Sequence, residues 1–248
     1  MAEFEAAPPV EPEGAVAALF GDRAGLARSF WRHLATSAVE RGLIGPREVP
    51  RLWDRHILNC VAIADFVPES AELADVGSGA GLPGLAIAIA RPDVRVTLVE
   101  PLQRRVTWLA EVVADLGLTN VDVRRARAEE LRGELHLDVV TARAVAPLPV
   151  LAGWCLPLCR PGGRLLALKG RSATEELAAS VEELRALGAE SWSVRVVGEG
   201  VLAEATTVVE VVAGAPAPEA ARAASRRRGR AGAGGHGHGA RRAGERRR

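Results

Sequence analysis

A chain of 248 residues, 48% of them hydrophobic, has apolar mass enough for one sizeable domain with an accessory segment. It holds no long uncharged apolar run, which argues against a membrane span, and its acidic, proline-rich start (Met1 to Gly14) is the reverse of a signal or transit peptide. The formal charge of +1 hides an asymmetry: from Gly214 onward ten arginines face only Glu219 and Glu245, so this segment carries +8 and leaves −7 on the residues before it.

In chain order, residues 1–13 are expected to be disordered and residues 14–68 to form an N-terminal helical cap. One helix is predicted from Arg23 to Arg41, with Leu26, Phe30, Leu34 and Ala38 at helical spacing, and a second from Glu48 to Phe66. Gly42 to Pro46 is the turn between them. Arg47, Arg51 and Arg55, at i, i+4 and i+8, would share one helical face, either an ordinary solvated one or a phosphate-contacting one. Cys60, Cys155 and Cys159 are odd in number and form no C-x-x-C pair, as expected of reduced core thiols in a cytosolic protein.

From Leu73 strand and helix patterns alternate. Leu73-Ala-Asp-Val76 reads as a buried strand that drops into Gly77, Gly79, Gly81 and Gly84, with a helix to Ile89 that has Pro83 in its first turn. Glycines are needed where a ligand must touch main chain, because a Cβ blocks the approach and φ can be positive. The helix start behind the turn is expected to add free N–H groups and a positive dipole end. Such a loop holds a nucleotide-like ligand, and Gly79-Ala-Gly-Leu-Pro-Gly84 also fits the dinucleotide pattern G-x-G-x-x-G.

Further strands are predicted at Val94–Glu100, Val121–Arg125, Leu137–Ala142 and Arg164–Lys169, with helices at Leu102–Leu116, Pro147–Cys159 and Ala173–Leu187 and a turn at Pro161-Gly-Gly163. Ser191–Val197 and Thr206–Val212 then follow with no helix between them, so they read as an antiparallel hairpin. Five parallel units closed by a hairpin give a mixed sheet over residues 69–213, whereas a dinucleotide-binding domain keeps alternating helix and strand. Residues 214–248 cannot build a core and are expected to be disordered.

A glycine loop, an acid ending the second strand, an acid just after the third and a closing hairpin together resemble the S-adenosylmethionine-dependent methyltransferases. The resemblance narrows at Asp75-Val-Gly-Ser-Gly-Ala-Gly-Leu-Pro-Gly84, Arg55-His-Ile-Leu58, Arg143-Ala-Val-Ala-Pro-Leu148 and Leu168-Lys-Gly170. These segments look like the bacterial 16S ribosomal RNA guanine-N7 methyltransferase family, also called glucose-inhibited division protein B. The similarity covers about residues 25 to 212. The family usually has an acid and a serine where Asn59 and Cys60 stand, and often a serine where Ala142 stands.

This resemblance implies an α/β fold: a seven-stranded, Rossmann-like methyltransferase sheet with an N-terminal helical cap. It implies S-adenosyl-L-methionine as cofactor, no metal, and 16S ribosomal RNA or the small ribosomal subunit as partner of a cytoplasmic monomer. Gly77, Gly79 and Leu82 would then wall the methionine half, Glu100 would accept from the ribose hydroxyls, and Ala128 and Glu129 would hold the adenine. Arg143 would lie in the cofactor site or meet RNA phosphate. No catalytic residue is certain; Arg143 and Lys169, the one lysine of the chain, are the candidate donors near guanine O6. No aromatic is an evident stacking platform, Trp53 being the best candidate; His56 is a helical histidine, packed or functional, and His236 and His238 are stray metal ligands at most. The rival readings are a nicotinamide-dependent oxidoreductase and a non-catalytic RNA-binding protein.

The tail generates a test. Ten arginines without fixed structure bind RNA phosphates with strong salt dependence and no sequence preference. Deleting residues 214 to 248 is expected to weaken RNA association and flatten its salt slope, with turnover at saturating RNA unchanged. Equal slopes for the two proteins would leave the tail without a role, and lost turnover at saturation would place it in the active site.

Overall fold

The computed structural model describes residues 11–215. The expectations for residues 1–10, for the arginines beyond Ala215 and for His236 and His238 lie outside the described residues.

Seven strands form one sheet: β1 (Glu72–Val76), β2 (Arg95–Val99), β3 (Val121–Arg124), β4 (Leu137–Arg143), β5 (Cys159–Lys169), β6 (Ala189–Val197) and β7 (Thr206–Ala213). Their order is β3-β2-β1-β4-β5-β7-β6. β1 to β5 are parallel, and β7 inserts antiparallel between β5 and β6, as the closing hairpin requires. β1 lies between β2 and β4, with Leu73 opposite both Val96 and Val139. Both faces are covered, so these strands read as nearly continuous apolar runs.

The faces alternate with a period of two. Leu73, Val96, Leu98 and Val139 point into a core shared with the N-terminal helices and the helices Gly84–Ala90 and Gln103–Asp115. Ala74, Val76, Val99, Val140 and Ala142 point into a second core beneath helix Leu148–Cys155. The N-terminal helices are tied to helix Gln103–Asp115 by Trp108 Nε1 donating to Ser37 Oγ (3.0 Å), by His33 with Asp115 and by Arg41 with Glu111. No helix among the described residues is long and apolar enough to cross a membrane.

Several elements depart from the sequence reading. Residues 11–13 are ordered into the fold: Glu11 accepts a forked pair of bonds from Arg28, and Glu13 opens the helix Glu13–Phe20. The predicted helix from Glu48 to Phe66 is four short pieces. A 3-10 turn, Pro46–Arg51, contains Pro50, which removes an amide donor; a π-helix spans Leu52–Leu58, then short turns run Asn59–Val61 and Ala64–Phe66. The helix predicted to Arg41 breaks at Thr36, and that predicted to Leu187 breaks at Ser180, each with its hydroxyl bonded to a carbonyl four residues back. Helix Leu148–Cys155 ends before Cys159, which instead starts β5 with Pro161, Gly162 and Gly163 inside the strand. Gly163 is required there, because a Cβ would stand 2.6 Å from the Leu137 carbonyl.

Gly84 has the tightest surroundings in the glycine turn. A Cβ on it would lie 2.4 Å from a methyl of buried Leu98 and 2.8 Å from Asp75. Gly84→Ala is expected to lower stability in chemical denaturation by about 1–3 kcal/mol through overpacking. An unchanged midpoint would show that helix Gly84–Ala90 is free to shift off β1.

Candidate active site

The carboxyl ends of β1 to β4 open into a cavity of about 630 Å³, within the usual range of about 300–1,000 Å³ for small-molecule sites. Its floor is the glycine turn from Gly77 to Leu82; one wall is Val99 to Leu102 with Arg105, another Ala126 to Glu129 with Trp154. Arg143 to Val145 close a third side, and Leu43, Ile44 and His56 bring the N-terminal helices over it. Of the residues singled out in the sequence, Gly77, Gly79, Leu82, Glu100, Ala128, Glu129 and Arg143 all line this space.

The turn is built by internal acceptors. Gly77 (φ +73°), Gly79 (φ +55°) and Gly81 (φ +77°) take the left-handed region. The Val99 carbonyl accepts from Gly77 N and Ser78 N, and the Ser78 carbonyl from Gly81 N and Leu82 N. Glu100, 1% exposed, accepts from Gly79 N through Oε2 and from Leu102 N through Oε1, both at 3.0 Å. Asp75 Oδ2 accepts from Gly84 N at 3.0 Å. The helix start was expected to offer free N–H groups; its first amide is instead capped by the chain's own carboxylate, and Leu85 N bonds to the Gly81 carbonyl. Arg105, in the first turn of its helix, reaches within 3.5 Å of Glu100.

Asp75 is fully buried, and its Oδ1 has no partner. Burial pushes its pKa up to about 7, against the Gly84 amide and the Ser78 and Thr141 hydroxyls, which favour the charged form. The folded protein thus holds a proton that an ordinary carboxyl has released by pH 4.

Arg143 ends β4 and is spent on the N-terminal helices. It donates to the Arg55 carbonyl (3.1 Å), the His56 carbonyl (3.5 Å), Cys60 Sγ (3.1 Å) and His56 Nδ1 (2.9 Å). Because Nδ1 accepts, the ring proton sits on Nε2, which donates to Glu48 at 2.7 Å. Burial holds His56 below its ordinary pKa, and Arg143 adds to this, while Glu48 opposes it. The thiol of Cys60 is thus one of the four acceptors of Arg143.

Lys169 is not among the lining residues. Its ammonium donates to the Ala146 carbonyl and to Glu176, both at 2.9 Å, and Glu176 also accepts from Leu148 N. It thus anchors the segment that follows Arg143, in which Ala144 has φ +53°. Trp53 is no open platform: it is 4% exposed and stacks on Trp31 with centroids 6.3 Å apart. Among the lining residues not foreseen are Leu43, Ile44, Arg105, Val145 and Trp154. Of these, only Val145 lay in a segment already singled out, Arg143 to Leu148.

The strand order, the antiparallel last strand and the turn with its strand-end acid define the S-adenosylmethionine-dependent class of methyltransferases. Solved structures share the fold at low identity: a putative transferase of Pyrococcus horikoshii (TM-score 0.51, 13% identical, covering 63% of each chain) and M. jannaschii TYW2 in complex with AdoMet (TM-score 0.50, 17% identical, covering 64% of this chain and 76% of that one). The profile of the family rRNA small subunit methyltransferase G matches residues 24–205, and the chain belongs to that family. A relative from Pseudarthrobacter chlorophenolicus named ribosomal RNA small subunit methyltransferase G is 57% identical over 198 residues, covering 80% of this chain and 92% of its own. One of the same name from Streptomyces coelicolor is 54% identical over 215 residues, covering 86% and 89%.

Between about pH 4 and 7 the folded state binds the Asp75 proton more tightly than the unfolded chain, so this group's contribution to stability falls as pH rises through that window. Asp75→Asn is expected to flatten the decline in urea-unfolding free energy from pH 4 to 8. An identical pH profile for the two proteins would mean that the Asp75 carboxyl is ionised throughout.

Proposed function

We propose that this chain, acting as a monomer in the cytoplasm, transfers the methyl group of S-adenosylmethionine to N7 of a guanine in 16S ribosomal RNA, free or in the small ribosomal subunit. The observation that carries the cofactor assignment is where the turn's donors go. In a dinucleotide site the amides at the helix start bind pyrophosphate. Here Asp75 occupies the Gly84 amide and Glu100 the Gly79 amide, so a pyrophosphate would meet two carboxyl groups in place of donors. A ligand with no phosphate suits this arrangement, which disfavours the nicotinamide reading. A purely RNA-binding protein leaves the cavity unused.

The residues fit the cofactor. A carboxylate has about four lone-pair sites; Glu100 gives one on Oε1 to Leu102 N and two on Oε2 to Gly79 N and Arg105, so one stays open for a ribose hydroxyl and a second opens when Arg105 swings aside. A Cβ at Gly77 would press on Val145 at 3.0 Å, whereas one at Gly79 would meet nothing nearer than the Gly77 carbonyl at 3.7 Å. Ala126 and Ala128 offer small apolar side chains that let the adenine approach closely, with Glu129 beside them. Bound there, the cofactor supplies an electrophilic methyl group on a sulfonium.

The chain's own part is placement. N7 of neutral guanine carries a free lone pair, so no side chain has to take a proton before transfer. His56 is correspondingly locked between Glu48 and Arg143 rather than held free as a base. Holding two reactants in line supplies effective molarities of about 10⁵ M or more. Arg143 acts by fixing Leu43, Ile44 and His56 over the cavity, and Lys169 by fixing the segment after β4. The target base has to leave its stack, because the deep groove of A-form RNA hides its N7 edge.

Calorimetric titration is expected to show binding of S-adenosylmethionine and none of NAD, and labelled methyl is expected to reach guanine N7 of small-subunit RNA. Glu100→Ala is expected to weaken the cofactor by about 1–3 kcal/mol. A shift of a few tenths or less would mean that the acid serves only the turn.

A further inference from the structure

Ion pairing separates the arginines of the described residues into those with a carboxylate partner and those without. At the amino edge they are neutralised: Arg91 by Asp93 and Arg95 by Glu72, both at 2.7 Å, and Arg160 by Asp138. At the carboxyl edge Arg105 pairs with Glu100 and Arg124, the last residue of β3, with Glu134, but four others have no carboxylate partner. Arg104 follows β2, Arg125 and Arg127 follow β3, and Arg171 follows β5; all four are exposed, and none forms an ion pair among the described residues. Arg47 and Arg51 are likewise exposed and unpaired, in the segment between Ile44 and His56, two residues that line the cavity. Exposed Asp54, Glu129, Glu130 and Glu175 lie close to these six cations in sequence, and none of them forms an ion pair with one.

We propose that this edge is the surface on which the RNA backbone docks, with Arg47, Arg51, Arg104, Arg125, Arg127 and Arg171 meeting phosphates around the mouth of the cavity. The proposal rests on RNA being the substrate. Residues 1–213 carry a net −7, so a polyanion is repelled by the chain at large and attracted only where arginines lack internal carboxylates. The parallel strands β1 to β5 put all their carboxyl ends on one side, so cations that follow three different strands share one edge with the cavity. Phosphates spaced along a strand of RNA match such a spread of single charges, whereas a small anion would be held by one or two of them. Phosphate contacts of this kind set register and leave the choice of base to the cavity.

The test uses the full chain and a small-subunit RNA transcript, with affinity measured across a salt series. The variant R47Q/R51Q/R104Q/R125Q avoids the cavity lining, and R95Q/R160Q serves as the amino-edge comparison. Each phosphate contact contributes about 0.7–0.9 to the slope of log K against log salt, so the fourfold variant is expected to flatten it by about 3. The amino-edge pair is expected to leave the slope unchanged, and both variants to keep wild-type cofactor affinity. R104Q/R125Q alone, expected to flatten the slope by about 1.5, stays readable if the fourfold change impairs folding. An unchanged slope in both carboxyl-edge variants, or equal flattening by the amino-edge pair, overturns the assignment. Wild-type protein that binds RNA but transfers no methyl group would refute the proposed reaction and leave the slope comparison standing.

Discussion

The main-chain amides of the glycine turn need acceptors, and the chain provides them from within. Val99, Glu100, Ser78 and Asp75 take the N–H groups of Gly77, Ser78, Gly79, Gly81, Leu82 and Gly84. Two of these acceptors belong to the end of β2, so the turn is held by register with the neighbouring strand as well as by its own sequence. A buried amide left unpaired costs about 1–3 kcal/mol, so losing this set would open the turn. The shape of the cavity floor is therefore set before any ligand arrives.

Much of this was legible in the sequence, because the strands that make the site are short apolar runs ended by glycine or acid. The hairpin was legible from two alternating stretches with no helix between them, and it separated this sheet from a dinucleotide-binding one. Apolar periodicity does not distinguish α, 3-10 and π turns, so the broken geometry of residues 46–66 was not visible. That geometry depends on Pro50 and on Arg143, a residue far along the chain that takes the carbonyls of Arg55 and His56. No aromatic was an evident platform in the sequence, and Trp53, the best candidate, is buried with Trp31 stacked on it. Lys169 stood out as the only lysine, yet its partner Glu176 lies on a helix whose approach no local pattern encodes.

All but one of the chain's 32 basic residues are arginines, so no single arginine stands out in the sequence, and their partners are what distinguish them. Arg143 stands apart from the others because its guanidinium bonds carbonyls, a thiol and an imidazole rather than a carboxylate. It uses the planar fork of the side chain to join two parts of the fold, a task that a lysine point charge would not perform.

The cavity has walls from both sides of that junction. Leu43, Ile44 and His56 come from the N-terminal helices, and Gly77 to Leu82 from the sheet. A molecule that touches both binds only while they are docked, so it acts as an adhesive between them. At a hundredfold excess over its dissociation constant it adds about 2.7 kcal/mol to their association. The same linkage runs in reverse: a change that loosens this seam, which Arg143 holds together with the Trp108–Ser37 and Arg41–Glu111 contacts, weakens the ligand by the free energy that the seam loses.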